Sequence, residues 1–295
     1  MKKITSLIKL LRVHQWTKNF FIFLPAFFGL KLVQQHILVN AILAFIGFSL
    51  VASSIYIFND LNDIEEDKLH PKKKSRPLAS GAVTKTEGII AMLFFCAAGC
   101  AIFVWGIKNT DVLIFIAYYI VQNILYSLKF KQKAITDVVM ISLGFIVRIL
   151  IGSWVTDTDL SHWIILMTFL LALFLALAKR RDDVLIFLET GNKTRKNVEG
   201  YNLEFLNVGI TIMASVVIIC YIMYTVSPEV VAKTGPDLYY TALFVILGII
   251  RYLQITFVWN LSGSPTMILL RDRFLQASIV GWVSSLGVIL YYHSR

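Results

Sequence analysis

The sequence predicts an all-helical membrane protein, a bundle of nine transmembrane helices, from its composition and its hydropathy pattern. The 295 residues are 57% hydrophobic and only 16% charged, whereas soluble domains carry about 25% charged residues. Apolar runs long enough to cross a bilayer, which takes roughly 20 residues, recur along the whole chain. Because no large soluble region fits between these runs, the sequence predicts a single transmembrane domain that covers residues 1–295.

Nine apolar runs are the candidate transmembrane helices. The first follows a basic segment, as the apolar part of a signal peptide would, but no small-residue cleavage site follows it, so we expect it to be retained. Several runs contain glycine or polar residues, which is typical of helices packed in a bundle. The runs cover residues 20–36, 38–58, 88–107, 112–128, 138–156, 162–178, 206–226, 238–259 and 274–292.

Positive charge is concentrated in alternate connecting segments. One set, which includes the N-terminus, holds 22 of the 28 Lys and Arg residues, and the opposite set holds four. Because the basic side of a membrane protein is the cytoplasmic side, we expect the N-terminus inside the cell (inner or plasma) membrane and the C-terminus outside. The net charge of +10 follows from this topology. Without an aromatic-and-basic binding module, it does not indicate nucleic acid as a partner.

An acidic block directly follows the second apolar run and opens the segment NDLNDIEEDKLHPKKKSRPLASG, residues 59–81. If that helix continues beyond the run, Asn59, Asp63 and Asp67 recur at every fourth position, and Asp60 lies near the same face. Like charges at this spacing repel each other, and a divalent cation would remove the repulsion. Oxygen ligands without His or Cys favour Mg²⁺, which is typically shared between carboxylates and substrate phosphates.

A basic block follows the acidic one, and its Lys73 and Arg76 are suited to hold phosphate oxygens that a metal leaves free. The alternative is a solvated loop, in which acids and bases neutralise one another and the lysines only mark the cytoplasmic side. The regular carboxylate spacing at the end of a membrane helix favours a metal–diphosphate site.

The pattern Asn59-Asp60-x-x-Asp63-x-x-x-Asp67 resembles the first aspartate-rich motif of the UbiA superfamily of intramembrane prenyltransferases. The resemblance covers essentially the whole chain. It implies an all-α bundle of nine transmembrane helices whose active site opens to the cytoplasm. The number of runs and the orientation derived above were obtained separately and agree with it.

The segment after the sixth run departs from an ordinary member of that superfamily, which carries a second carboxylate pair, Asp-x-x-x-Asp. Here Asp182 and Asp183 are followed four residues later by Ile186 and Phe187, and six cations lie within residues 179–196. The second metal-holding half is therefore weakened. A site with more cations suits a substrate with more phosphate.

This variation is similar to one branch of the superfamily, the decaprenyl-phosphate phosphoribosyltransferases. The branch usually has Glu where this chain has Asp183, which keeps the charge and shortens the reach. The matching residues in four segments are Arg12, Gln15, Trp16, Lys18, Asn19 and Pro25; His70, Pro71, Lys73, Arg76 and Pro77; Tyr126, Ser127 and Lys129; and Lys179, Arg180, Asp183, Thr190, Gly191, Arg195, Lys196, Glu199 and Tyr201.

The resemblance to this branch implies a glycosyltransferase of cell-envelope biosynthesis. With Mg²⁺, such an enzyme transfers 5-phosphoribose from phosphoribosyl diphosphate (PRPP) to a long-chain, decaprenyl-type polyprenyl phosphate and releases diphosphate. The expected catalytic residues are Asp63, Asp67 and Asp183, and the expected metal ligands are Asn59, Asp60, Asp63 and Asp67. The expected substrate-binding residues are Arg12, Gln15, Lys18, Lys73, Arg76, Tyr126, Lys129, Arg148, Lys179, Arg180, Arg195 and Tyr201.

Charge type suggests how these residues divide between the two substrates. The residues expected at the 5-phosphate or ribose of the donor are Lys179, Arg180, Arg195 and Tyr201. The candidates for the phosphate of the acceptor are Arg12, Lys18, Lys129 and Arg148. Arg12 and Lys18 have the alternative of being topology signals only. Arg148 lies inside an apolar run, where an arginine is costly and usually faces the bundle interior or a polar cavity.

Two other functions stay open at the level of the sequence. A prenyltransferase that uses a prenyl diphosphate donor needs the same first motif, but a second carboxylate pair would be expected. A transporter or a lipid-binding protein without chemistry is the other alternative. Transporters often show internal repeats with interrupted helices, and the sequence has no corresponding pair of halves.

Overall fold

A computed structural model of the chain describes residues 2–69, 73–191 and 196–293. No β-strand occurs in these ranges, so the all-α prediction is confirmed. The α-helices are α1 (Lys2–Leu10), α2 (Leu24–Phe28), α3 (Gln35–Asn62), α4 (Ile64–Leu69), α5 (Lys85–Ala101), α6 (Leu113–Leu128), α7 (Thr136–Thr156), α8 (His162–Thr190), α9 (Leu203–Thr225), α10 (Pro228–Thr234), α11 (Ala242–Phe257), α12 (Pro265–Arg271) and α13 (Arg273–His293). The 3₁₀ segments are Val13–Phe23, Lys73–Ser75, Phe130–Gln132, Lys196–Gly200 and Pro236–Thr241, and a π-helical segment, Ile102–Ile107, extends α5.

Seven helices within the described ranges are long and apolar enough to span a membrane. They are α3, α5 with its π-helical extension, α7, α8, α9, α11 with the 3₁₀ segment before it, and α13. The helix α6 is apolar but shorter. These eight elements coincide with eight of the nine predicted runs. The prediction of a multi-pass membrane protein is therefore confirmed.

The first predicted run, residues 20–36, does not form one long helix. The 3₁₀ segment Val13–Phe23 passes into the short helix α2, which ends at Gly29. Pro25 lies at the start of α2, where its missing N–H group is tolerated. The number of nine transmembrane helices therefore stays a prediction, because seven long apolar helices and the shorter α6 are present in the described ranges.

Two predicted helix ends are wrong, and both bear on the candidate site. The helix α3 ends at Asn62, and Asp63 has non-helical backbone angles (φ −100°, ψ 12°) before α4 begins. The sixth predicted run ends at residue 178, but α8 continues to Thr190 and carries most of the basic segment. It stops at Gly191, which has a left-handed φ of 67°, the conformation that glycine adopts at helix ends.

The chain divides into two compact units, Met1–Lys129 with Gly144–Leu160 and Phe130–Leu143 with Ser161–Arg295. The sequence-based prediction of a single domain stays a prediction. Each unit has a hydrophobic core of its own.

The core of the first unit depends on close backbone contacts. The helix α3 packs on α5 at Gly47 and Gly99, where a Cβ atom on Gly99 would lie 2.5 Å from the carbonyl oxygen of Gly47. A Cβ atom on Gly152 of α7 would overlap the carbonyl oxygen of Ile22 in the same way. Small residues let helices in membranes approach this closely. At Gly152, this close approach places the Val13–Phe23 segment directly against α7.

The core of the second unit is built chiefly by α8, α9 and α11. Phe174 of α8, Leu206 and Ile210 of α9, and Tyr252 of α11 are buried in one cluster. This packing fixes the position of α8, whose C-terminal half carries three of the six cations that follow the sixth predicted run, Lys179, Arg180 and Arg181.

Candidate functional site

Two almost fully buried carboxylates of the first unit share one arginine. Asp60 is 4% exposed and Asp67 is 2% exposed. The Nη1 atom of Arg76 lies 3.0 Å from Oδ1 of Asp60 and 2.6 Å from Oδ2 of Asp67. Arg12 forms an ion pair with Asp60, and Nζ of Lys73 lies 3.8 Å from Oδ1 of Asp67. These five residues are called the acidic cluster below.

The local backbone explains how the acidic residues come together. The amide of Asp63 donates to the carbonyl of Asn59 at 3.0 Å, and the amide of Asp67 donates to the carbonyl of Asp63 at 2.8 Å. The predicted four-residue repeat therefore persists although the helix is interrupted at Asp63. Ser127 of α6 donates its hydroxyl to the amide oxygen of Asn59, and this bond links two of the segments that the sequence analysis singled out.

The carboxylate oxygens of the acidic cluster fit a hard divalent cation if the metal replaces the nitrogen of Arg76 between them. Within the described ranges, no group of three or more His, Cys, Asp and Glu side chains stands ready to hold a metal ion. Asp60 and Asp67 nevertheless already converge on a single cationic nitrogen, that of Arg76. A metal that replaced this nitrogen would find carboxylate ligands, which Mg²⁺ prefers, and the freed guanidinium would be available to an anion. The fit therefore requires that Arg76 exchanges one partner for another.

A second charged centre of the first unit surrounds Arg148, which is 4% exposed. Its Nε donates to Oδ1 of Asn19 at 2.8 Å, its Nη1 donates to the carbonyl of Gly144 at 2.5 Å, and its Nη2 lies 3.4 Å from the hydroxyl of Tyr119. The guanidinium also lies over three aromatic rings, those of Phe48, Tyr119 and Phe145, at 5.0, 5.2 and 5.3 Å. The expectation that this arginine lies in the interior rather than against lipid agrees with its burial.

The Val13–Phe23 segment is fixed to α3 by two serines one turn apart. Asn19 donates to the hydroxyl of Ser49 at 2.8 Å, and the indole of Trp16 donates to the hydroxyl of Ser53 at 3.1 Å. These bonds hold Lys18, which is half-buried between the two anchoring residues.

The pKa of Lys18 reflects its crowded surroundings. Burial, together with the charges of Arg148 and Arg12, lowers the pKa of its ammonium group to about 8. Burial also lowers the pKa of Arg12, whereas the carboxylate of Asp60 has the opposite effect on this pKa. We call Lys18 and Arg148 the cation pair, because each is a cation of this centre and neither forms an ion pair within the described residues.

In the second unit, two of the four predicted donor-binding residues, Arg180 and Tyr201, belong to a buried network around Asp137. The carboxylate of Asp137, which has no exposed area, accepts from the hydroxyl of Tyr201 at 2.6 Å and from the amide of Asn197 at 2.8 Å. The Nε atom of Arg180, which is 1% exposed, lies 2.7 Å from Oδ2 of Asp137. Arg180 also bonds to Asp183 one turn further along α8. These five residues are called the Asp137 network below.

The Asp137 network bears on the predicted roles of Arg180 and Tyr201 in substrate binding. Burial, and then the bond to Asp137, raises the pKa of the Tyr201 hydroxyl. Tyr201 also accepts from the backbone amide of Ile135 at 2.7 Å. Arg180 and Tyr201 therefore have protein partners, and a direct contact of either with a substrate would compete with those bonds. Their role in substrate binding stays a prediction.

The remaining predicted residues lie in diverse environments. Gln15 is half-buried in the Val13–Phe23 segment, Tyr126 is half-buried on α6, and Lys129 is exposed at the end of that helix. Lys179 is half-buried on α8, and Arg195 lies outside the described residues. Their substrate contacts likewise stay predictions.

Sequence reasoning missed Asp137 as the centre of a network. Asp137 lies directly before the apolar run at residues 138–156, where an Asp commonly serves only as a helix cap. The structure instead directs its carboxylate at the side chains of two other segments. The available signal was a lone carboxylate next to an apolar run, which needs a partner when it is buried.

The fold and the length of the chain match those of known proteins. The UbiA prenyltransferase family matches residues 22–279. A homologue of UbiA from Archaeoglobus fulgidus, solved with GPP and Mg²⁺, has a TM-score of 0.71 at 18% identity and covers 97% of this chain and 99% of its own. The same protein with Cd²⁺ gives a TM-score of 0.67. At this level of identity the similarity shows the fold.

Two relatives that match nearly the whole chain have the same name. The decaprenyl-phosphate phosphoribosyltransferase of Mycolicibacterium smegmatis is 29% identical over 300 residues, which cover 98% of this chain and 93% of that protein. The protein of the same name from Corynebacterium glutamicum is 28% identical over 291 residues, which cover 97% of this chain and 87% of that protein. The similarity therefore extends over nearly the whole length of both sequences.

The buried ion pair of Arg180 leads to a prediction about stability. We expect Arg180→Met to lower the thermal unfolding midpoint of the purified protein clearly, because breaking a buried ion pair typically costs about 3–5 kcal/mol. Lys133→Met is the control, since Lys133 is exposed in the same unit, and its midpoint should match that of the unchanged protein. An unchanged midpoint in Arg180→Met with a raised Michaelis constant for PRPP would instead indicate a direct role in binding.

Proposed function

This chain belongs to the UbiA prenyltransferase family, and from that premise we propose that it is a phosphoribosyltransferase. It transfers 5-phosphoribose from PRPP to a long-chain polyprenyl phosphate and releases diphosphate. The near-full-length similarity to decaprenyl-phosphate phosphoribosyltransferases supports this proposal. The acidic cluster supports the binding of a metal–diphosphate group, which PRPP contains.

One observation on α8 carries the choice of donor. Asp182 and Asp183 are followed one turn later by Ile186 and Phe187 rather than by carboxylates, and Asp183 is already bonded to Arg180. A second carboxylate pair, which the use of a prenyl diphosphate would favour, is therefore absent from this helix. The six cations of the segment at residues 179–196 favour a donor that carries an additional phosphate.

The acidic cluster would bind the diphosphate of the donor. Asp60 and Asp67 of the cluster, together with the neighbouring Asn59 and Asp63, would hold Mg²⁺, which supplies positive charge to the diphosphate when it is bound. Arg76 then leaves the carboxylates and binds phosphate oxygens, for which its forked donors are suited. Asp60 and Asp67 thus alternate between two cations, and the buried charge stays compensated in both states.

The acceptor needs little activation by the protein. Its phosphate is already an anion, so no strong general base is required for attack on the anomeric carbon. Positive charge develops on the sugar ring as the diphosphate departs, as in other glycosyl transfers. The groups that stabilise the departing negative charge are fixed in place beforehand, which is usually the largest contribution to catalysis. Attack opposite the leaving group inverts the anomeric centre.

The donor is a cytoplasmic metabolite in this proposal, so the active site opens to the cytoplasm. The chain would then cross the cell membrane nine times, with the predicted run at residues 20–36 as the first crossing and the short helix α6 as another. The N-terminus lies inside and the C-terminus outside. The excess of Lys and Arg in alternate connections supports this orientation.

The first test is a turnover assay of purified variants with PRPP and polyprenyl phosphate. We expect Asp67→Asn to reduce formation of the phosphoribosylated lipid by on the order of a hundredfold or more, because preorganised charge at the leaving group is lost. Excess chelator should have the same effect on the unchanged protein. Glu65→Gln is the matched control, since Glu65 is exposed on the same short helix and bonds to Lys68. Full turnover in Asp67→Asn, or with the chelator, contradicts the assignment.

The second test concerns topology and uses a protein whose three native cysteines are replaced. A cysteine at Lys74 should be protected from an impermeant thiol reagent added outside intact cells, whereas one at Lys108 should react. Both lysines lie in connecting segments, so the pair differs in the predicted side of the membrane. The reverse labelling pattern would rule out access of cytoplasmic PRPP to the acidic cluster.

A further inference from the structure

The cation pair lacks the compensation that the acidic cluster has. All 18 acidic residues of the chain lie within the described ranges. None of them forms an ion pair there with Lys18 or with Arg148, whereas Arg12 and Arg76 are paired with Asp60. A buried charge without a partner is costly. A site that keeps two such cations is therefore suited to an anion.

The guanidinium of Arg148 is held in place by several contacts, but not all of its hydrogen-bond donors have a partner in the described residues. An arginine has five N–H groups, and three of them have the partners described above, Asn19, Gly144 and Tyr119. Two N–H groups are therefore free of protein acceptors in the described residues. The aromatic rings that surround the guanidinium fix its plane, so little side-chain freedom is lost when an anion binds.

Lys18 is connected to Arg148 by the chain itself. The next residue, Asn19, accepts from Arg148 and donates to Ser49, and the charge of Arg148 acts on the pKa of Lys18. Arg12 connects the same region to the acidic cluster, because it pairs with Asp60 and its charge also acts on Lys18. An anion bound by the cation pair would thus lie near the donor diphosphate within the same unit.

The segment that carries Lys18 also carries aromatic side chains that form an apolar surface with Phe45. Phe20 is 57% exposed and stacks on Phe45 at 5.0 Å, and Phe23 and Trp16 contact the same ring at 5.8 and 6.4 Å. Such a row of aromatic rings suits an isoprenoid chain, whose burial is favourable in proportion to its area. An anion with an apolar tail matches this combination better than a free sugar phosphate does.

We propose that Lys18 and Arg148 form the binding site for the phosphate monoester of the lipid acceptor, with its chain along the aromatic row of Trp16, Phe20, Phe23 and Phe45. The inference rests on the proposed function and narrows four candidate cations to two. A phosphate monoester also occurs in the donor, as the 5-phosphate of ribose. The test must therefore separate the lipid phosphate from the sugar phosphate.

The experiment measures equilibrium binding to the full-length protein in detergent, without metal, donor or turnover. The probes are geranylgeranyl phosphate, geranylgeraniol and ribose 5-phosphate. We expect Lys18→Met to weaken the binding of geranylgeranyl phosphate about tenfold or more, which is the effect of losing one charge-assisted hydrogen bond. The binding of geranylgeraniol should not change. Lys9→Met is the matched control, because Lys9 is exposed on the preceding helix, and it should bind all three probes as the unchanged protein does.

A stability measurement separates binding from a structural role. Because Lys18 has no ion-pair partner among the described residues, we expect Lys18→Met to unfold at the same temperature as the unchanged protein or at a higher one. A lower midpoint would mean that the lysine supports the fold. Arg148→Lys retains the charge but loses the fork and the ring contacts, and it should also weaken geranylgeranyl phosphate.

The dependence on pH gives an independent readout. Lys18 loses its proton as the pH rises through about 8. His14, whose pKa is lowered by burial and by its basic neighbours, is neutral in this range. The phosphate monoester is a dianion throughout this range, since its second pKa is about 6. Affinity for geranylgeranyl phosphate should fall between pH 7 and 9 in the unchanged protein (roughly one unit on either side of the lysine pKa) and stay level in Lys18→Met.

Two outcomes overturn the inference. If Lys18→Met weakens the binding of ribose 5-phosphate and does not change the binding of geranylgeranyl phosphate, the cation pair is part of the donor-binding site. If neither probe is affected, Lys18 marks membrane topology alone. Because no turnover is involved, either result leaves the proposed phosphoribosyl transfer to be judged by the assay of Asp67→Asn.

Discussion

A single nitrogen of Arg76, within hydrogen-bonding distance of both Asp60 and Asp67, is the interaction on which the candidate site depends. Two nearly buried carboxylates would repel each other strongly in surroundings of low dielectric constant, and the shared cation removes that repulsion. The same requirement recurs in the second unit, where Arg180 lies between Asp137 and Asp183. Charge compensation thus decides which side chains are held together.

The two arrangements differ in what they leave available. Around Asp137, a tyrosine and an asparagine donate to the carboxylate, and the buried Arg180 lies beside it, so these side chains are surrounded by protein partners and suit a structural role. In the acidic cluster, Arg76 is 28% exposed and Lys73 is 36% exposed, so its cations can exchange partners. The interruption of the helix at Asp63 leaves this half-buried carboxylate beside the cluster. These features explain why the acidic cluster, rather than the Asp137 network, is the candidate for metal and diphosphate.

The sequence predicted the elements that depend on hydropathy and left open those that depend on contacts between distant residues. Eight apolar runs coincide with helices because twenty apolar residues leave few alternatives. The run at residues 20–36 fails because Pro25 and Gly29 favour a short helix. The interior position of Arg148 was predictable from its cost in an apolar run. The bonds of Asn19 to Ser49 and of Asn197 to Asp137 were not, since nothing local in the sequence indicates which distant partner a polar side chain meets.

A donor swap on one preparation of purified protein decides whether PRPP or a prenyl diphosphate is the donor. One reaction contains PRPP with polyprenyl phosphate and Mg²⁺, and the other contains prenyl diphosphate with an aromatic acid and Mg²⁺. Released diphosphate and the mass of the lipid product are measured in both. If PRPP is the donor, diphosphate and a phosphoribosylated lipid form in the first reaction, and no product forms in the second. Product in the second reaction alone would contradict it and would identify the protein as a prenyltransferase.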